Sequence, residues 1–282
     1  MQHQGFDFYC NNKRLFGQYW HGQQTKAVVI LVHGMGEHSG RYTGSLIPEL
    51  VDAGYVVYSF DHFGHGHSEG KRGHCPSYKA VLNSIDELCE KKNETFPDLP
   101  TFLYGHSMGG NVVLNYVMRR KPPQIRGVVA TSPFLRMAFD PPAWKMSAGK
   151  LFYYILPFVT MPSGIESKYI SRDEREIEKY EDDPLVHNRV SPNFTIPFIK
   201  NGEWVLNNAN QLETPLLLLH GTGDYITSHW ASKALAKQSD LITLKLYKGG
   251  YHELHNDLER ADVFQTVTEW LDAQLVNEPK LV

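Results

Sequence analysis

Ser107 lies in Gly105-His106-Ser107-Met108-Gly109, a G-x-S-x-G pattern followed by a further glycine, Gly110. A serine at the tip of a sharp strand-to-helix turn is held in a strained backbone, with its hydroxyl projecting into a cleft. Such a turn closes only if the residues two before and two after the serine lack side chains. A serine at a helix start also aims the free N–H groups of the first turn at any oxyanion formed beside it. The pattern alone would equally suit a helix-capping serine in a glycine-rich turn. The rest of the chain must therefore supply partners for the hydroxyl.

A nucleophilic hydroxyl needs a base, and the base needs a carboxylate to orient it. On a strand–turn–helix nucleophile the chain order is serine, acid, histidine. The apolar run Leu216–Leu219 is followed by His220-Gly221-Thr222-Gly223-Asp224, and the run Thr243–Tyr247 by Lys248-Gly249-Gly250-Tyr251-His252. Asp224 alone reads as a turn former, and His252 alone as a surface-loop histidine. With Ser107 they have the order and the loop placement of a catalytic triad. A second oxyanion donor is expected from the loop after an earlier strand. His33-Gly34-Met35-Gly36 supplies one, which assigns the backbone N–H groups of Met35 and Met108 to the oxyanion hole.

The elements that must position these residues alternate in type. Phe6–Cys10 and Leu15–His21 flank Asn11-Asn12 and read as a hairpin. Ala27–Val32 is a continuous apolar run, as a strand covered on both faces requires. Further strands are expected at Val56–Phe60, Thr101–Tyr104 and Ile125–Ala130, besides the two runs above. Helical spacing of apolar residues appears after Tyr42, over Tyr78–Cys89, over Met108–Arg120 and around Val263–Leu271. Strand–helix alternation of this kind implies a mostly parallel sheet of about eight strands between layers of helices. The rhythm breaks between Ser132 and Thr214, a stretch too long for a plain loop. It is expected to be a helical cap over the carboxyl ends of the strands. The expected organisation is a core first part over 1–132, a cap or lid insertion over 133–213 and a core second part over 214–282.

Composition narrows the class. Of 282 residues, 41% are hydrophobic and 21% charged, with a net charge of -3. These are globular values, and no basic excess points to nucleic acid. Three unpatterned cysteines, Cys10, Cys75 and Cys89, fit a reducing, cytoplasmic setting rather than a disulfide framework. The first ten residues carry no basic-then-apolar leader, and no apolar run reaches the roughly 18 residues of a membrane span. At most a peripheral contact with a membrane surface, through the cap, is expected.

Two other chemistries compete with the triad for these residues. Gly34-x-Gly36 with Asp61 imitates a dinucleotide fingerprint, but the third glycine is displaced to Gly40 and the acid lies too far on. His62, His65, His67, His74 and Cys75 have no common zinc spacing, and Gly64 and Gly66 mark a turn there. No metal is assigned.

The sequence resembles the monoacylglycerol lipases and lysophospholipases of the α/β-hydrolase fold, often grouped with serine aminopeptidase-like domains. The motifs that carry the resemblance are HGMGEHSGRY (33–42), FDHFGHGHSEG (60–70), GHSMGG (105–110), SP (132–133), DPL (183–185), HGTGD (220–224) and GGYHELHND (249–257). It implies catalytic roles for Ser107, Asp224 and His252, oxyanion donors at Met35 and Met108, and no cofactor. It also implies a polar head-group pocket shaped by Glu37, Arg41 and His255. Position 35 is often alanine in the family, so Met35 is expected to narrow the pocket at the ester. The expected reaction is cleavage of a monoacylglycerol or lysophospholipid through an acyl-enzyme. Phe152, Ile155, Leu156 and Phe158 of the cap are expected to bury the acyl chain, each CH₂ contributing about 0.8 kcal/mol. An aminopeptidase would need a cap carboxylate, for which Glu166, Glu174 and Glu178 are available; a thioesterase or a non-catalytic ligand-binding relative would share the same scaffold.

Overall fold

The structure, a computed structural model, describes residues 1–140 and 142–276. The chain opens with the hairpin β1 (Gln2–Cys10) and β2 (Lys13–His21), turned by Asn11 and Asn12 at φ 51° and 57°. Asparagine tolerates this left-handed region, which is why the pair can turn the hairpin. There follow β3 (Ala27–Val32), α1 (Leu46–Asp52), β4 (Tyr55–Phe60), α2 (Tyr78–Thr95), β5 (Thr101–His106), α3 (Met108–Arg120) and β6 (Ile125–Thr131). Next come α4 (Ala143–Ile155), the two-residue β7 (Met161–Pro162), α5 (Glu174–Asp182), the two-residue β8 (Arg189–Val190) and α6 (Pro192–Asn207). The chain ends with β9 (Leu216–Gly221), α7 (His229–Ala236), β10 (Ile242–Tyr247) and α8 (Arg260–Val276).

Eight strands form one sheet in the order β1-β2-β4-β3-β5-β6-β9-β10. From β4 to β10 every pairing is parallel, whereas β2 pairs antiparallel with both β1 and β4. This is the α/β-hydrolase arrangement. Strands β3, β4, β5 and β9 are buried throughout, so alternate residues feed two cores, one on each face. One face packs α2 and α3, through Val81, Ile85, Val112 and Val113 among others. The other packs α1 and α8, through Leu46, Leu50, Val263 and Val267. The carboxyl ends of β3, β5, β9 and β10 thus deliver the four loops that carry Met35, Ser107, Asp224 and His252 to one side of the sheet.

The stretch after Ser132 is not uniform. α5 buries none of its residues, whereas α6 buries Phe194, Phe198 and Val205 in the core that also holds α3. The last part of the expected insertion is therefore a core helix, because its apolar stripe meets α3 directly. The apolar run Leu151–Val159 splits at Ile155, where α4 ends ahead of Pro157, and its Leu151, Ile155 and Phe158 are exposed.

Candidate active site

Ser107 caps α3 with φ 53° and ψ -114°, a conformation L residues rarely adopt. Its cost, on the order of 1–3 kcal/mol, is carried by the packing on both sides of the turn. A Cβ added at Gly105 would lie 2.4 Å from Gly109 O, and one at Gly109 would lie 1.9 Å from Val32 O. Both glycines of the pattern are thus required by close backbone approach. The Ser107 N–H donates to Thr131 O at 2.9 Å, and Ser107 O accepts from Phe134 N–H at 2.9 Å, which pins the turn to β6 and the loop after it.

Ser107 Oγ lies 2.8 Å from His252 Nε2, and His252 Nδ1 lies 2.7 Å from Asp224 Oδ2. With its Nδ1–H donated to the carboxylate, the imidazole presents Nε2 as an acceptor to the serine hydroxyl. All three residues are buried. Asp224 Oδ1 accepts from the Ile226 and Thr227 N–H groups at 2.7 and 2.9 Å, and Oδ2 also meets the Thr227 hydroxyl at 2.8 Å and His220 Nε2 at 3.1 Å. Burial works against the carboxylate's charge, but the neighbouring His252 and these donors outweigh it and hold its pKa well below the usual carboxylate range. Burial likewise disfavours charged His252, yet Asp224 outweighs it and raises the histidine's pKa above its ordinary value. The arrangement can take a proton from Ser107 and hold the resulting imidazolium against a fixed anion.

A cavity of about 420 Å³ opens at Ser107. Met35, Met108, Phe134, Met137, Phe194 and Phe198 line its apolar part. Met35 follows β3 and Met108 begins α3, so both backbone N–H groups are placed at loop and helix ends next to the serine.

The expected head-group residues Glu37, Arg41 and His255 lie outside the lining of this cavity. Arg41 donates to both Glu253 oxygens at 2.6 and 2.9 Å and to Glu37 at 3.1 Å. Glu37 also accepts from the Gly34 N–H at 2.6 Å and from the Tyr42 hydroxyl at 2.7 Å. His255 stacks on Tyr42, ring centroids 4.6 Å apart, and is fully buried. None of the three lines the cavity. The charges of Arg41, Glu37 and Glu253 satisfy one another beneath the loop that carries Met35, and His255 packs there as a neutral ring. Phe152, Ile155, Leu156 and Phe158 do not line it either. They are 38–63% exposed on the outer side of α4 and the loop after it.

Sequence reasoning missed Thr227, His220 and Ser132. The Ser132 hydroxyl donates to His252 O at 2.8 Å, and Ser132 O lies 3.0 Å from the Thr227 hydroxyl. Only the Ser132-Pro133 motif hinted at this role. The buried rings of His33, His62 and His65 pack together, and His33 bridges Gly34 O at 2.7 Å and the His62 N–H at 3.0 Å. They brace the Met35 loop. Among the described residues, no group of three or more His, Cys, Asp or Glu side chains could hold a metal ion.

The sequence profile of the family described as Serine aminopeptidase, S33, matches residues 23–259. The chain belongs to this family of α/β-hydrolases. Within the S33 family, it is similar to the monoglyceride lipase of Homo sapiens, 33% identical over 270 residues that cover 93% of this chain and 88% of that protein. It is similar to the crystal structure of Paleococcus ferrophilus monoacylglycerol lipase, with 35% identity and a TM-score of 0.82, covering 97% of this chain and 100% of that one. It is also 35% identical to an abhydrolase domain-containing protein of Dictyostelium discoideum over 89% of this chain; there the chain spans only 27% of the relative's length. With S33 membership and these lipase relatives, the protein is a serine hydrolase of the lipase and esterase kind.

Proposed function

We propose that this protein cleaves monoacylglycerol-like lipid esters through an acyl-enzyme on Ser107. The observation that carries the reading is the unbroken Ser107–His252–Asp224 relay opening into an apolar cavity. His252 Nε2 takes the hydroxyl proton as Ser107 Oγ attacks the ester carbonyl. The oxyanion accepts hydrogen bonds from the Met35 and Met108 N–H groups. As the tetrahedral adduct collapses, the glycerol oxygen leaves with the proton from His252. Water then repeats the sequence on the acyl-serine, giving its proton to His252, and Ser107 is restored as the fatty acid leaves. The Met35, Met108, Phe134 and Phe198 walls bury the acyl chain, each CH₂ contributing about 0.8 kcal/mol. The segment from α4 to β8 acts as the cover of this site, with Ile165, Glu166, Tyr169 and Val190 on the cavity. Trp144, Leu151, Tyr154, Ile155 and Phe158 are exposed apolar side chains on that cover, which suits a transient contact with a lipid surface. Among the described residues, no helix is long and apolar enough to cross a membrane.

The test is a side-by-side assay of a monoacylglycerol, a lysophospholipid, a short p-nitrophenyl ester and an aminoacyl amide, with wild type and Ser107→Ala. Ester cleavage by the wild type, abolished in a folded Ser107→Ala, is expected. Full activity in that variant, or cleavage confined to the amide, overturns the proposal.

A further inference from the structure

The cavity at Ser107 is not apolar throughout. Its mouth is lined by Glu166 and Tyr169 from the cover and by Tyr225 from the loop after Asp224. The Tyr169 and Tyr225 rings lie 4.8 Å apart, and Tyr251 packs edge-on against Tyr225 at 5.6 Å. Two phenol rings, Tyr169 and Tyr225, and the Glu166 carboxylate face one opening, and Tyr251 backs Tyr225 from behind. An ammonium already occupies this place: Lys168 Nζ lies 2.5 Å from Glu166 Oε2 and 4.8 Å from the centre of the Tyr169 ring. Lys168 and Glu166 are 60% and 59% exposed, so the pair is solvated and cheap to exchange. Aromatic faces with an adjacent carboxylate are the chemistry that binds alkylammonium groups.

We propose that this mouth is a subsite for the ammonium of a lysophospholipid head group, choline or ethanolamine, with the acyl ester at Ser107. The incoming ammonium replaces Lys168 on Glu166 and the tyrosines, and the released Lys168 meets the head group's phosphate. One internal ion pair is thereby traded for two intermolecular ones, matched in sign to a zwitterion. The inference rests on the reading of Ser107 as the ester-cleaving nucleophile.

The test compares kcat/KM on lysophosphatidylcholine, on lysophosphatidic acid, which has the phosphate without the ammonium, and on a monoacylglycerol of the same acyl chain. Wild type, Glu166→Gln and Tyr225→Leu are assayed. Both positions are exposed at the mouth, and the melting temperature of each variant reports its fold. In both variants the ratio of lysophosphatidylcholine to lysophosphatidic acid activity is expected to fall about tenfold, the scale of one lost cation contact. A ratio that stays constant in both overturns the subsite. Cleavage of the monoacylglycerol without any cleavage of lysophosphatidylcholine by the wild type also overturns it and leaves the Ser107 reading standing. Amide cleavage that falls in Glu166→Gln assigns the carboxylate to a peptide amine and overturns the lipid head group. If the wild type cleaves none of the esters and a fluorophosphonate does not label Ser107, the nucleophile reading itself fails, and this inference with it.

Discussion

Thr227 grips both oxygens of Asp224: its backbone N–H donates to Oδ1 at 2.9 Å and its hydroxyl lies 2.8 Å from Oδ2. Oδ2 is also the oxygen that receives the His252 Nδ1–H, so Thr227 fixes the carboxylate in the orientation the imidazole needs. Thr227→Val keeps the N–H bond and the side-chain volume but removes the hydroxyl. Hydrolysis is expected to fall about tenfold, the worth of one hydrogen bond to a charged group, with an unchanged far-UV spectrum. Activity equal to wild type would show that the hydroxyl does not position Asp224.

His252 must be neutral to accept the Ser107 proton, and Asp224 raises its pKa. The acidic limb of kcat/KM is therefore expected to have its midpoint above the ordinary histidine value of about 6.5, with activity lost as pH falls through it. Asp224→Asn removes the anion, moves that midpoint down and lowers kcat by about 10⁴-fold. A pH–rate profile on both proteins reads the two effects separately.

Strain at Ser107 predicts a stability difference between two inactive variants. Ser107→Ala keeps a Cβ at φ 53°, whereas Ser107→Gly does not. The glycine variant is expected to be the more stable of the two by about 1 kcal/mol, read from urea unfolding. An alanine variant that is equally or more stable would mean that the turn is not strained.

Arg41 tests whether the polar network supports the Met35 loop. Its guanidinium is buried between Glu253 and Glu37, so Arg41→Met leaves two carboxylates underneath the Met35 loop without their cation. A loss of about 3–5 kcal/mol in stability is expected, as for other broken buried pairs. A variant of native stability with only a raised KM would instead return Arg41 to the head group.

His33 and His255 are fully buried, and burial pushes each down to about 4. Unfolded, they charge near 6.5, so between these values the unfolded chain binds more protons. Their contribution is complete above about 6.5 and is lost as pH falls toward 4, at about 1.4 kcal/mol per pH unit for each. Melting temperature measured from pH 7 down to pH 4.5 should decline, and His255→Gln should flatten the decline.

Much of this protein was legible in its sequence because local chemistry fixes it. Continuous apolar runs specify strands buried on both faces, and glycines on either side of Ser107 specify a turn that no side chain could enter. Serine, aspartate and histidine on three loops in that order followed from the same local signals. Tertiary structure alone decided which polar residues face solvent, substrate or one another. Glu37, Arg41 and His255 have the types of a head-group pocket, but beneath the Met35 loop Arg41 pairs with Glu37 and Glu253 while His255 stacks on Tyr42. Phe152, Ile155, Leu156 and Phe158 have the types of a tunnel, but they are solvent-exposed, and α6, packed on α3, lines the cavity with Phe194 and Phe198. Ser132 meets His252, 120 residues on, a contact that only the folded chain brings about. Periodicity records which face of an element is apolar; which surface meets that face depends on contacts that exist only once the chain has folded.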